Sequence, residues 1–304
     1  MHKLLATSTI LEHDLSELRL LVERQTGLVL DCPNSALAAH VIDYIEAQGI
    51  GSSAALMESL RSSDNDPQQL AGMLDGIVNT NSGFFRHPGA LNALAKFVVP
   101  QICARKSADG PAPLRLWSAG CATGEEAYSI AISVCDALAQ MSSGSGTQST
   151  TNGNAKARTG GIAESAPAST PVSTGWSIHV VGSDLLPRNI ETADRGVYRY
   201  SALDGLPPAM IRSYFSKFNS PKAVAGSGED EPRSRRASER VSSANSNNGD
   251  AANPPTCATH LLVKPRLRSL VTFNCMNLAR PGYIGRFDCI FCMDVLPHFS
   301  RPQR

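Results

Sequence analysis

The sequence contains no apolar run near the roughly 20 residues that a helix needs to cross a bilayer, so a membrane-spanning segment is not its organising feature. Its N-terminus, MHKLLATSTILEHDLSEL, meets acidic residues by Glu12, too early for a secretory signal, and a cytoplasmic location is expected. An excess of one charge is also missing. Lys plus Arg number 28 and Asp plus Glu 27, a formal net charge of +1, so no global basic field draws the chain to nucleic acid. A disulfide framework is not indicated, because the eight cysteines are scattered through mostly apolar segments, as buried reduced thiols are. The C-x-x-C pair Cys289–Cys292 falls on the apolar stretch FDCIFCMDVL. Residues three apart on a strand face opposite sides, and no second Cys/His pair follows at ligand spacing, so no metal is expected.

What is present is enough for a core: 42% apolar residues in 304, which suits one or two domains. Two stretches break that composition, residues 141–175 and 219–256. Both are rich in Ser, Gly, Asn, Ala and Pro and poor in large apolar residues, too little to offset the entropy of ordering, and both read as disordered insertions. The basic cluster between Arg233 and Arg240 reads as solvated charge within the second, with contact to an acidic partner as the alternative.

The rest sorts into two blocks, placed at residues 1–90 and 91–304. The first is helical. DLSELRLLVERQTGLVL carries Leu15, Leu18, Leu21 and Val22 at helical spacing, with Gly27 to close it. SALAAHVIDYIEAQG has Ser35 as an expected N-cap and Gly49 as a stop, and two further short amphipathic segments complete a small four-helix bundle. The second block alternates strand and helix: LRLWSA, then GEEAYSIAISVCDALAQM, then WSIHVVGSD, then LPRNIETADRGVY. LRSLVTFNCMNL and FDCIFCMDVLPHF add two strands ending in polar residues. The fold class is therefore α/β, with near-continuous apolar strands in a parallel sheet. Ligands bind such sheets at the carboxyl ends of the strands, near the switch in strand order.

The first strand-to-helix loop, Ser118 to Gly124, is built of small residues around Gly120, which lets a ligand approach backbone N–H groups at the positive end of a helix. It lacks the G-x-G-x-x-G spacing of a dinucleotide loop and adds Glu125 and Glu126, which repel phosphate and suit a cationic or hydroxyl-bearing ligand. The alternative for the two acids is ordinary helix N-terminal charge, worth about 0.3–1 kcal/mol. Asp184 closes the second strand, where an acid is placed to bind ribose hydroxyls; capping the next helix is the alternative. Asn277 and Asp294 end the third and fourth strands at the same edge. Polar strand ends around a small-residue loop describe a nucleoside site without a phosphate site, and S-adenosylmethionine fits that description.

The segments NTNSGFFRHP, RLWSAGCATGEEAYSIAI, VVGSDLLPRNIETADRGVYRYSALDGLPPAMIRSYF and FDCIFCMDVLPHFS resemble the CheR-type chemotaxis receptor glutamate methyltransferases over essentially the whole chain, with two gaps. The resemblance implies a small helical N-terminal domain followed by a Rossmann-like methyltransferase domain carrying a small β-subdomain. It implies methyl transfer from S-adenosylmethionine to glutamate side chains of methyl-accepting receptors, whose cytoplasmic helices are the partner, by a monomer. Carried over residue by residue, cofactor contacts fall on Thr80, Ser82, Arg86, Glu126, Asp184, Asn277, Leu278, Met293 and Asp294, beside Gly120 of the loop; Arg86 and His298 are the candidate catalytic pair. Phe84 and Phe85 either wall the site or belong to the core.

The chain departs from the family at Thr80, usually Asn, and at Ser82, usually Thr. The last-strand motif, usually C-R-N-V-x-I-Y-F, reads CMDVLPHF, which puts His298 where a tyrosine is usual. The second helix has no Arg or Lys, where the family's is typically basic. The family continues beyond the fourth strand with about three more strands, so the sheet is expected to be incomplete at Arg304. An inactive module that binds the cofactor and acts through protein contacts is the alternative function. A nicotinamide-dependent oxidoreductase ranks below both, because the loop lacks its glycine spacing.

Overall fold

The computed structural model describes residue 10 and residues 12–62, 67–78, 80–107, 112–144, 175–218, 260–282 and 285–303. Four helices open the chain: α1 Glu12–Thr26, α2 Asn34–Gln48, α3 Ser53–Ser62 and α4 Pro67–Leu74. Their apolar positions recur every three or four residues, and those positions are the buried ones: Leu15, Leu18, Leu21 and Val22 of α1 against Leu37, Val41 and Ile45 of α2, with Leu56, Met57 and Leu60 of α3. Burying each such side chain contributes about 1.5–3 kcal/mol. The expected N-cap at Ser35 is corrected: α2 starts at Asn34 and its cap lies two residues earlier, at Pro33, in extended backbone with no side-chain cap bond. Gly49 closes α2 as expected, in the left-handed conformation.

A longer helical run follows: α5 Pro88–Ala93, a π-helical turn Leu94–Val98 and α6 Val99–Lys106. Pro100 stands at the start of α6, where its missing N–H cannot continue the ladder, and the wide turn precedes it.

The second block is α/β, as its alternation implies. Strand β1 is Leu114–Ala119, and α7 runs Glu125–Gly144. Next come β2 Ile178–Asp184, α8 Pro187–Arg195, β3 Val197–Arg199, α9 Pro208–Tyr214, β4 Phe215–Phe218, β5 His260–Val263, α10 Pro265–Arg268, β6 Val271–Cys275 and β7 Cys289–Phe291. Four strands form a parallel sheet in the order β6-β2-β1-β7, and three form an antiparallel sheet in the order β3-β5-β4, the small β-subdomain. α7 packs against β1 and β2 with Ala127, Ile130, Ala131 and Val134 fully buried, which accounts for its near-continuous apolar sequence.

Several boundaries differ from the sequence reading. The segment expected as helix to Tyr198 ends at Arg195, because Gly196 caps it in the left-handed region and Val197–Arg199 then pair with β5. The expected third strand begins as α10, and only Val271–Cys275 pair with β2. The fourth pairs only over Cys289–Phe291 and then turns into a short 3-10 helix, Leu296–His298. Met141–Gly144 continue α7 rather than opening an insertion; Ser142 and Ser143 hydroxyls donate back to the carbonyls of Leu138 and Ala139. The remainder of the first insertion, apart from Gly175, and all of the second lie outside the described residues, as does Cys257.

The blocks are tied at one seam. Leu186 and Phe299, from the sheet block, belong to the apolar cluster of the helical bundle. Residues just after α1 pair with the segment after β7: Val29 N–H donates to His298 O at 2.8 Å and Ser300 N–H to Gly27 O at 2.9 Å. Asn277 Nδ2 donates to Gln25 O at 2.8 Å. No helix among the described residues is long and apolar enough to cross a membrane.

Candidate functional site

The chain runs from β1 outward to β2 and β6, then returns to place β7 on the other side of β1. This reversal opens a crevice above the carboxyl ends of the strands. The Ser118–Gly124 loop forms its floor. Gly120 has φ +75°, and a Cβ there would lie 2.5 Å from Val295 Cγ2; Gly124 has φ +95°, and a Cβ there would lie 2.6 Å from Ala193 Cβ. Neither position admits a side chain without moving its neighbours.

Four of the loop's N–H groups are committed. Gly120 and Cys121 donate to Ser183 O, at 2.8 and 2.9 Å; Gly124 donates to Cys121 O at 2.9 Å. Ala122 donates to Asp184 Oδ2 at 3.0 Å. With four backbone donors turned inward, this loop does not present the array that cradles a pyrophosphate.

Two adjoining cavities occupy the crevice, of about 140 and 50 Å³. All eleven residues singled out from the sequence line one or the other. Thr80, Asp184, Asn277, Leu278 and His298 border the larger, Ser82 and Glu126 the smaller, and Arg86, Gly120, Met293 and Asp294 border both. The two phenylalanines divide. Phe84 stacks edge-on against Tyr198 and Phe215, with ring centroids 4.9 and 5.3 Å apart, as part of the core, while Phe85 lines the smaller cavity.

Asp184 is held firmly. Its Oδ1 accepts from Leu186 N–H at 3.0 Å and from Asn189 Nδ2 at 2.9 Å, while Oδ2 accepts from Ala122 N–H. It therefore braces the turn before α8 while bordering the larger cavity; the capping alternative is not realised, because the N-cap is Leu186 and has no side-chain cap bond. Of the roughly four lone-pair positions of a carboxylate, these three bonds fill three. Glu126 accepts from Ser118 Oγ at 2.7 Å. Burial pushes its carboxyl above the ordinary range; the Ser118 hydroxyl opposes this, as do His87 and Arg86, and Asp294 reinforces it. Its neighbour Glu125 is turned away to Thr123, whose hydroxyl donates to it at 2.7 Å. Burial also raises the Cys121 thiol well above its usual value, with Asp184 and Glu126 adding to the effect, so Cys121 is an inert neutral wall and not a nucleophile.

On the opposite rim, Arg86 donates through Nη1 to Asn81 O at 2.6 Å and pairs through Nη2 with Asp294 Oδ2 at 3.3 Å. His87 Nε2 approaches the same Asp294 oxygen at 3.1 Å. Among the described residues, three non-glycine residues have positive φ: Phe85, Ala122 and Asp294. All three are in this site. Asn277 is committed to the seam, with Nδ2 on Gln25 O and Oδ1 accepting from Ala279 N–H, so it borders the cavity with its amide engaged.

Sequence reasoning missed Asn189, His87 and the end of α1, where Thr26 and Leu28 close the larger cavity. His87 carried a weak signal, adjacency to Arg86. Asn189 carried another, its place on the first turn of the helix that follows Asp184. Nothing local marked Thr26 or Leu28.

Residues 80–148 match the family model described as CheR methyltransferase, SAM binding domain. The segment spans the Thr80–His87 loop, β1, its glycine loop and α7, and the cofactor of that domain is S-adenosylmethionine. The chain is similar to chemotaxis protein methyltransferase 1 of Pseudomonas aeruginosa, 24% identical over 290 residues, covering 94% of this chain and 80% of that protein. It is similar to the chemotaxis protein methyltransferase of Salmonella typhimurium, 24% identical over 284 residues, covering 92% and 72%. A probable chemotaxis protein methyltransferase of Rhizobium etli is 24% identical over 233 residues, covering 76% of this chain and 61% of that protein.

Proposed function

We propose that the chain transfers the methyl group of S-adenosylmethionine to the side-chain carboxylate of a glutamate in a methyl-accepting chemotaxis receptor, giving a methyl ester and S-adenosylhomocysteine. The observation that carries this reading is a coincidence of place. The S-adenosylmethionine-binding match at residues 80–148 supplies one wall of the crevice, and the polar ends of β2, β6 and β7 supply the others.

The residues present fit the cofactor. A floor with four of its N–H groups engaged, a half-buried acid at Glu126 and a fixed acid at Asp184 favour a ligand that is cationic and hydroxyl-bearing. When bound, the cofactor supplies a methyl group on a sulfonium. Asp184 has an acceptor position left for a ribose hydroxyl. Glu126 offers negative charge to an ammonium group, and Arg86 aligns a carboxylate through its planar fork.

No general base is needed, because a glutamate with an ordinary pKa of about 4.3 is already ionised at neutral pH. The work of the site is to align the carboxylate with the methyl–sulfur axis and to exclude water. Leu278 and Met293 provide apolar wall for that purpose. Transfer neutralises a cation and an anion together, so a water-poor crevice favours the charge-dispersed transition state.

Calorimetric titration with S-adenosylhomocysteine and, separately, with NAD tests the cofactor. Methyl transfer from labelled S-adenosylmethionine to receptor cytoplasmic fragments tests the reaction. Binding of the homocysteine analogue with label recovered as base-labile ester is expected. Binding of NAD alone would sink the reading; analogue binding without transfer would leave a cofactor-binding module in its place.

A further inference from the structure

Two donors converge on one carboxylate oxygen at the rim of the site. Asp294 Oδ2 lies 3.3 Å from Arg86 Nη2 and 3.1 Å from His87 Nε2. The guanidinium is anchored from behind, through Nη1 on Asn81 O. Both ends of the contact carry backbone strain: Asp294 has φ +59°, and Phe85, which precedes Arg86, has φ +54° with its N–H held by Ser129 Oγ at 3.0 Å. Strained residues of this kind persist where their surroundings over-determine them, and they cluster at ligand clamps.

The contact is not a buried lock. The Arg86 and Asp294 side chains are 43% and 56% exposed, and exposed ion pairs of this sort shift an equilibrium by no more than roughly fivefold. Arg86 and Asp294 also stand at the junction of the two cavities, with Glu126 in the smaller and Asp184 in the larger. The place where an acceptor carboxylate would meet the cofactor is therefore filled by a carboxylate of the chain itself, on a weak and accessible contact.

We propose that Asp294 occupies, in the free protein, the seat of the substrate's glutamate carboxylate, and that Arg86 and His87 form the two-pronged clamp that receives the substrate when Asp294 leaves. The inference rests on the methyl-transfer reading above and assigns to His87 a substrate-binding role. Because one carboxylate replaces another, the guanidinium is never left unpaired, and the exchange costs little. A neutral carboxamide accepts from the guanidinium without bringing a negative charge of its own, so it binds more weakly than a carboxylate and the clamp discriminates glutamate from glutamine.

The test follows the His87 ring by NMR in protein carrying 15N-histidine, with the resonance assigned by H87Q. N-acetyl-L-glutamate amide and N-acetyl-L-glutamine amide are the probes, each titrated with and without S-adenosylhomocysteine. A saturable shift with the glutamate probe and none with the glutamine probe is expected. D294N, tolerated at this φ, is expected to tighten the glutamate probe by roughly two- to fivefold. D294G provides a second, unstrained removal of the competitor. H87A is expected to weaken the same probe by about tenfold, followed through Arg86 side-chain signals. Equal responses to the two probes, or no tightening in both Asp294 variants, would overturn the proposal. Failure of the methyl-transfer reading shows separately, as no calorimetric signal from S-adenosylhomocysteine, because the clamp is also read without that ligand.

Discussion

The two sides of the crevice are built differently. On the β1–β2 side, Asp184, Glu126 and most of the loop's backbone are fixed by short bonds to their neighbours. Ser118 and Ser183 are fully buried, four loop N–H groups are engaged, and Asp184 accepts three hydrogen bonds. On the β7 side, Arg86, Asp294 and His298 stand in solvent and are joined by ion pairs and a short 3-10 turn. A preformed half suits a ligand that is the same at every turnover. An exposed half with exchangeable contacts suits a macromolecular substrate that must arrive and leave.

The sharpest way to break this contrast is Asp184→Ala. It strands three donors at once, so binding of S-adenosylhomocysteine should become undetectable and stability in urea should fall by about 2–4 kcal/mol. Unchanged affinity would remove Asp184 from the cofactor site. Arg86→Ala on the loose side should behave in the opposite way. Turnover should drop by roughly a hundredfold through misplacement of the carboxylate, with the unfolding midpoint unmoved. Normal turnover would take Arg86 out of the site.

Glu126 gives a smaller, pH-dependent effect. Its folded value is raised, chiefly by burial, so the proton binds more readily in the folded chain than in the unfolded one. Its contribution to stability is therefore greatest in acid and is lost as pH rises through the raised value. Attraction for an ammonium group runs the other way, since only the ionised form supplies it. Affinity for S-adenosylhomocysteine should fall as pH drops through that value, by at most about tenfold per pH unit for one proton. In E126Q this dependence should vanish in pH-resolved calorimetry; if it persists, another group is responsible. The smallest effect is expected at Arg188, whose ion pair with Asp75 at 2.9 Å joins α8 to the end of the helical bundle. The pair is solvent-exposed at Arg188, so R188A should leave the melting midpoint indistinguishable from that of the unsubstituted chain.

Much of the preformed half could be read along the chain, because its parts are neighbours in sequence. LRLWSA is a strand over the residues expected, the small-residue loop follows it, and Asp184 ends the next strand. Local pattern failed where pairing comes from far away. Val197–Arg199 continue a helical-looking run, yet they form a strand because β5, more than sixty residues later, supplies their hydrogen-bond partners. The loose half was legible as separate residues and not as a contact: His87 and Asp294 are 207 positions apart. Asn277 and Gln25, 252 apart, gave no signal of the seam they hold together.

By itself the amino-acid sequence determined the helical first block, the alternation of β1, α7, β2 and α8, the glycines that keep the loop open and the acids that disfavour phosphate. Each depends on spacing within one or two turns of chain, where side-chain periodicity and backbone freedom act directly. Tertiary structure alone decided which donors those acids meet, that Arg86 and His87 share one carboxylate, and that the end of α1 closes the cleft. Those outcomes depend on burial and distance between segments remote in sequence, quantities that do not exist until the sheet and the bundle have packed.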